Sequence, residues 1–385
     1  MASHQNSSVT FSRELKLLLH CLSNKAIDPS DISGIDEEKL IDLIQTHRII
    51  SQVRTPLAEI TSSSLREKLD GIYIANKFVQ LNFSAELIKI QKAFSEKNIA
   101  HIALKGPALS QEIYGDPSER TSRDLDILIQ LDQLDASLET LKELGYELLT
   151  KFSTSKQRRA IIQHYHHMEL YHTDKNVMLE IHWKLTSPKH GPFSTEMIWS
   201  NSTQLPFSGS ELRILSRETL IPYLCLHGTL HCFFRLQWLT DLYHLFKQMS
   251  LDEIELLHRQ IENSSTRISM NVSLALLSEF FGFEIPEKIK IGMNRHSKKM
   301  VQISLNEIAE NTSLDRKKSR WRTTLLNHKI QYYTSGTRGL INSLFSRNVR
   351  PKNWQVFAFP DSVFFLNHVF SRLIWLLGKL KRKSP

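Results

Sequence analysis

The sequence predicts an α+β fold: a small mixed sheet with helices, flanked by N- and C-terminal helical regions. Three observations predict it. Apolar residues recur three and four apart from Phe11 to about Phe94, and again from about Glu218 onward; this is the period of helices with one buried face. Between those regions lie the β-rich runs "NIAHIALKG", "RDLDILIQL", "HHMELYH" and "NVMLEIHWKL", each bounded by turn residues. Hydrophobic residues make up 41% of the 385, enough for a large core divided among two or three domains.

Taken in order, "RELKLLLHCL" and "EEKLIDLIQTH" read as amphipathic helices, and a long helix is expected from about Ser64 to Lys97. "NIAHIALKG" then switches to a strand, and "PALSQEIYG" reads as a short helix with Pro107 at its first position, where the missing N–H costs nothing. "RDLDILIQL" is a second strand, and "LDASLETLKELGY" is a helix that stops at Gly145. After a basic link from Lys151 to Arg159, two strands are joined by the turn "TDKN". The chain is helical again from about Glu218, Pro351–Pro360 reads as a loop, and an apolar segment ends in a basic tail. The expected boundaries are 1–97 for an N-terminal helical region, 98–215 for the sheet-bearing core, 216–350 for a helical domain, and 351–385 for the loop and the apolar, basic helix.

Composition narrows the function. Lys and Arg outnumber Asp and Glu by 49 to 40, a net charge of +9. That balance favours phosphate-bearing partners: a nucleotide, a nucleic acid or an anionic membrane surface. Cys21, Cys225 and Cys232 form no CxxC pair, which suits a reducing cytoplasm and argues against a disulfide scaffold. The first residues lack the charged-then-apolar layout of a secretory signal. No run of about 18 uncharged apolar residues occurs, so no transmembrane span is expected.

The chemistry concentrates in "SRDLDILIQ". Side chains alternate along a strand, so Asp124 and Asp126 share one face while Leu125, Ile127 and Ile129 take the other. Two like charges so close need a cation between them. Paired carboxylates can hold two Mg²⁺ ions about 4 Å apart, the arrangement that steadies attacking and leaving oxygens in phosphoryl transfer. Glu180, midway along the apolar "MLEIHW", shares its face with Met178 and His182 and fits as a third ligand. In "LKGPAL" a strand ends at Lys105, Gly106 permits a tight turn, and a helix opens; its free N–H groups can receive a triphosphate. Lys105, Arg120 and Arg123 can neutralise the same phosphates.

Plainer readings stand beside these. Asp124 and Asp126 can pair with Arg120 or Arg123, Glu180 with Lys184, and Lys105 can be simply solvated. His182 either orients Glu180, binds substrate, or is a hydrogen-bonded core histidine. His227 and His231 lie four apart on a helix, but no glutamate or cysteine set accompanies them, so zinc is not expected there and His227 is a candidate for substrate contact. Asp241 either closes the site or pairs with Arg235. The basic run Arg316–Arg322 reads as a solvated face or a nucleic-acid contact. The C-terminal segment either packs on the protein or lies on an anionic membrane.

The ordered set of strand, KG turn, helix, DxD strand and acidic strand resembles the nucleotidyltransferase fold of the DNA polymerase β superfamily. More closely, "IALKGPALSQEIYGDPSERTSRDLDILI", "LEIHW" and "HGTLHCFFRLQWLTDLYHLF" resemble a bacterial family of uncharacterised nucleotidyltransferases. The likeness runs over roughly residues 10–380 and is densest from 100 to 245. It implies a polymerase β-like core, Asp124, Asp126 and Glu180 as catalytic metal ligands, and Lys105 and Gly106 in the nucleotide-binding turn. The superfamily's usual Gly-Ser pair is Gly106-Pro107 here, so no serine hydroxyl stands at that spot. The expected function is Mg²⁺-dependent transfer of a nucleoside monophosphate from an NTP to a hydroxyl or phosphate acceptor, with release of pyrophosphate. Mn²⁺ is the alternative metal and ATP the first candidate nucleotide; the acceptor is left open. The alternatives are modification of RNA or protein at the same site, or a non-catalytic nucleotide-binding partner in cell-envelope polysaccharide assembly. The expected location is cytoplasmic, with peripheral membrane contact through the C-terminal segment as a further option.

Overall fold

The structure is a computed structural model that describes residues 9–23, 34–187, 193–262, 264–310, 320–345, 351–354, 357–371 and 373. The chain opens with helices α1 (Arg13–Leu22), α2 (Glu37–His47), α3 (Ile50–Ala58) and α4 (Ser63–Glu96). Then follow β1 (His101–Ala103), α5 (Gly106–Tyr114), β2 (Asp124–Ile129), α6 (Leu134–Glu143) and β3 (Glu147–Leu148). Next come α7 (Ser155–His164), β4 (His167–His172), β5 (Val177–His182), α8 (Thr195–Ser200), β6 (Thr203–Phe207) and β7 (Ser210–Ile214). Helices α9 (Arg217–Leu230), α10 (Leu236–Lys247), α11 (Leu251–Gln260), α12 (Ser264–Phe281), α13 (Glu287–Ile291), α14 (Arg295–Ala309) and α15 (Arg320–Phe345) continue the chain, followed by the short α16 (Pro351–Trp354) and α17 (Leu366–Val369).

These elements gather into two units. One comprises Met1–Ser84, Pro107–Ser122 and Ser216–Gly336; the other comprises Ala85–Gly106, Arg123–Leu215 and Thr337–Pro385. Helix α15 breaks at Gly336, where φ is +64°, a value open to glycine at little cost.

The second unit holds a seven-stranded mixed sheet in the order β3-β4-β5-β2-β1-β7-β6. Strand β2 runs antiparallel to β1 and parallel to β5, with Asp126 opposite Glu180 and Leu128 opposite His182. Strands β4 and β5 form the hairpin expected around "TDKN", pairing Glu169 with Glu180 and His167 with His182. Registered neighbours point to the same face of a sheet, so one face carries Asp124, Asp126, Glu180, His182, His167 and Glu169. The other carries Leu125, Ile127, Leu179, Ile181, Met168 and Leu170, each no more than 1% exposed. At about 1.5–3 kcal/mol for each side chain fully buried, this apolar face fixes the register. A slip of one residue in any of these three strands would turn its two apolar residues to the polar face.

Two features were not expected from the sequence. The basic link contains α7, whose first turn is capped by Thr154 accepting from Gln157 N at 3.2 Å. The β6–β7 hairpin turns on Ser208 and Gly209, with φ of +47° and +81°, the backbone of a two-residue primed turn. Pro206 obscures this hairpin in sequence, but it lies on the sheet's last strand, where a missing N–H is tolerated. Four residues of the expected Pro351–Pro360 loop form α16. Of the basic run, residues 316–319 lie outside the described residues, as does the C-terminal tail beyond residue 373.

The first unit is helical and holds a buried polar network. Arg120 Nε donates to Asp241 Oδ2 at 2.9 Å, Tyr114 Oη donates to Asp241 Oδ1 at 3.0 Å, and Arg120 Nη1 donates to Ser122 Oγ at 3.2 Å. Burial pushes the Asp241 carboxyl up against the pull of Arg120. The Gln80 amide exchanges two hydrogen bonds with the Ser122 backbone, and Gln237 donates to Thr121 O. The backbone just ahead of the DxD strand is thereby fixed at two successive residues. His47, fully buried at the end of α2, accepts from Leu236 N at 3.2 Å, filling one of the unpaired N–H groups that begin α10.

Two stability predictions follow from this unit. Arg120→Ala leaves Asp241 charged and buried without its partner, so urea denaturation should show a loss of about 3–5 kcal/mol, much of it recovered in Arg120→Met/Asp241→Leu. Burial pushes the His47 imidazole down to about 3, so it is neutral when folded and protonates when the chain unfolds. Its contribution is therefore complete above about pH 6.5 and declines as pH falls toward 3. Between pH 6.5 and 5 the stability of wild type should fall more steeply than that of His47→Asn, which keeps an acceptor but not the titrating ring.

Candidate active site

The site is built on the polar face of the sheet. Asp126 lies mid-strand with its side chain 4% exposed, beside the half-buried Asp124 at the strand's start. Glu180, 22% exposed, stands opposite Asp126 on β5. At an effective dielectric near 20, two such charges about 4 Å apart repel by about 4 kcal/mol. A solvated surface ion pair, worth about 0–1 kcal/mol, cannot offset that. The structure meets the cost with one ammonium and one imidazole N–H. Lys105, in the turn after β1, places Nζ 3.1 Å from Asp126 Oδ1. His182 Nε2–H is shared between Asp126 Oδ1 and Glu180 Oε2, at 3.2 Å each.

These contacts govern protonation. Burial pushes the Asp126 carboxyl upward, but the Lys105 ammonium and the His182 N–H outweigh it and hold the group well below the usual carboxylate range. Glu180 is likewise lowered, with burial opposed chiefly by the His182 hydrogen bond. Burial disfavours the His182 imidazolium, yet the two carboxylates raise its pKa. His167, with Nε2 3.8 Å from Glu180 Oε2, is pushed by burial down to about 4. The carboxylates on this face outnumber its cationic side chains, leaving the face anionic.

The donor set fits a divalent cation. Among the described residues, Asp126, Glu180 and His182 each bring one ligand atom within 4.8 Å of the others. Asp124 lies on the same face one pleat away, and its oxygens suit Mg²⁺. Gly106 has φ +66°, and a Cβ there would lie 3.5 Å from Asp124 O. The left-handed backbone at this turn therefore favours glycine, and it sets the start of α5 close against β2.

The structure sorts the remaining sequence candidates. Arg123 is exposed beside Asp124. Arg120 belongs to the helical unit and holds Asp241, for which closing the site and pairing with Arg235 were the two expectations. His227 lies in the same helical unit, with ring contacts to Tyr223, His231 and Trp238. Sequence reasoning missed His167 and Glu169. Their signal was present: pairing "HHMELYH" with "VMLEIH" around "TDKN" places His167 opposite His182 and Glu169 opposite Glu180.

Comparison with known proteins gives the class first: a nucleotidyltransferase, a transferase of phosphorus-containing groups. The chain belongs to the family of uncharacterised nucleotidyltransferases, whose model matches residues 33–282. Two solved structures are similar. The antibiotic-resistance factor ANT(2'')-Ia, known in solution, is 12% identical, with 52% of this chain and 97% of that one covered and a TM-score of 0.36. An antigenic nucleotidyltransferase-like protein from Paracoccidioides brasiliensis is 18% identical, with 54% and 94% covered and a TM-score of 0.35. No curated protein matches the sequence. Among the described residues no helix is long and apolar enough to cross a membrane.

Proposed function

We propose that this chain transfers a nucleoside monophosphate from a nucleoside triphosphate, ATP first among them, to a hydroxyl or phosphate oxygen of an acceptor. The observation that carries the reading is the parallel register that sets Asp126 beside Glu180, on the face that also bears Asp124 and receives Lys105. In the reaction the acceptor oxygen bonds to the α-phosphorus while the bond from that phosphorus to the bridging oxygen breaks. Pyrophosphate leaves with those electrons, and a hydroxyl acceptor's proton passes to a carboxylate. Glu180 suits that last role, because at 22% exposed it is the more accessible of the registered pair and His182 fixes its orientation.

Asp124, Asp126 and Glu180 would hold Mg²⁺, in our reading two ions, with Mn²⁺ acceptable to the same oxygen ligands. When bound, the metal neutralises the triphosphate and the charge that builds on it during transfer. The chain's own residues supply the rest. Lys105 brings an ammonium to the phosphates, and Arg123 adds a second exposed cation next to Asp124. The positive φ of Gly106 allows the tight turn that follows Lys105. Arg120 acts at one remove, holding the segment before β2 through Asp241 and Ser122. Catalysis in this scheme is positioning and charge neutralisation.

Calorimetry of NTP binding tests the reading. NTP should bind in the presence of Mg²⁺ and fail to bind in chelator, and Asp124→Asn/Asp126→Asn, checked for fold by circular dichroism, should lose the metal-dependent binding. Binding that ignores both the metal and the substitutions would leave the aspartates as structural charges.

A further inference from the structure

Beside the carboxylates the same hairpin assembles a second donor set of different chemistry. His166, His167 and His182 each offer a ring nitrogen within 4.8 Å of the other two. Their ring centroids lie 4.5 Å (His166–His167), 4.9 Å (His167–His182) and 5.6 Å (His166–His182) apart. The backbone fixes them: His167 and His182 are registered partners across β4 and β5, and His166 O accepts from Trp183 N at 3.0 Å.

The tautomer logic of metal-bound imidazole is present. A ligating histidine commonly donates its other N–H to a carboxylate, which orients the ring and raises its basicity. His182 does this, giving Nε2–H to Asp126 and Glu180, while its Nδ1 is buried without a hydrogen-bond partner. The His182 side chain is 2% exposed, which closes that nitrogen off from bulk solvent. His167 shares part of this arrangement: its Nε2 lies 3.8 Å from Glu180 Oε2, beyond hydrogen-bond distance, and its Nδ1 is buried with no hydrogen-bond partner. A buried nitrogen left without a partner is costly, and here two occur among three clustered rings.

We propose that His166, His167 and His182 form a binding site for a borderline transition-metal cation of the zinc class, linked to the carboxylate set through His182. Imidazole suits Zn²⁺, Co²⁺ and Ni²⁺, whereas oxygen ligands suit Mg²⁺, so the two sets differ in the ion they select. Three imidazoles leave a fourth tetrahedral position for water or an incoming ligand. The site stands whether or not the chain transfers nucleotides.

Co²⁺ is the probe, because on imidazole nitrogen it gives visible absorption that Zn²⁺ and Mg²⁺ lack. Full-length protein stripped with chelator should take up Co²⁺ with that signature. Zn²⁺ should displace it, and Mg²⁺ at about a hundredfold excess should not. His166→Ala and His167→Ala should each weaken Co²⁺ binding at least about tenfold, the scale on which even outer partners of a ligand act. His166→Gln serves should an alanine variant fail to fold. Asp124→Asn should retain the Co²⁺ signature although it loses metal-dependent NTP binding, which separates this site from the nucleotide reading. Absent uptake in wild type, displacement by Mg²⁺, or uptake indifferent to every histidine variant would overturn the proposal.

Discussion

Two carboxylates can sit side by side in a sheet only if positive charge lies between them, and the polar face of this protein is arranged around that constraint. The parallel pairing of β2 with β5 places Asp126 next to Glu180. The β1–α5 turn brings Lys105 to one side of Asp126, and the residue two beyond Glu180 brings the His182 N–H to both carboxylates. None of these groups would be tolerated alone at such burial. Together they form a set whose charges nearly balance and whose surplus is negative, an arrangement suited to a further cation.

The register behind this set is fixed from the opposite face. Leu125, Ile127, Leu179 and Ile181 are almost fully buried, so the alternation that hides them also obliges Asp124, Asp126, Glu180 and His182 to share a side. Stability and chemistry are thus read from the same strands by the same period of two. The segment leading into β2 is held separately, by the Gln80 clamp on Ser122 and the Gln237 bond to Thr121. Tyr114, Asp116 and Arg120, which stand in the motif-rich stretch "IYGDPSER", serve this holding role: Asp116 pairs with Lys77, and the other two meet at Asp241.

Much of this was legible in sequence because it rests on local periodicity. The long helix, the KG turn, the DxD strand, the "TDKN" hairpin and the alternation at Glu180 all declare themselves within a few residues. What stayed hidden depends on pairing between distant segments. Nothing near Asp241 names Arg120 as its partner, 121 residues away. The β6–β7 hairpin was obscured by Pro206, whose place on the sheet's edge shows only after the strands are ordered. His167 and Glu169 were hidden for another reason: a strand read alone shows its alternation but not its opposite number. The register of β4 on β5 had to be drawn before the histidine cluster could be seen.

The central claim is that Asp124, Asp126 and Glu180 share a divalent cation with a nucleoside triphosphate. Anomalous diffraction from crystals grown with Mn²⁺ and a non-hydrolysable NTP analogue tests it most directly. Mn²⁺ peaks should lie within coordination distance of these carboxylate oxygens, with the triphosphate completing the coordination. A nucleotide bound away from the three carboxylates, or bound beside them with no Mn²⁺ on their oxygens, would contradict it.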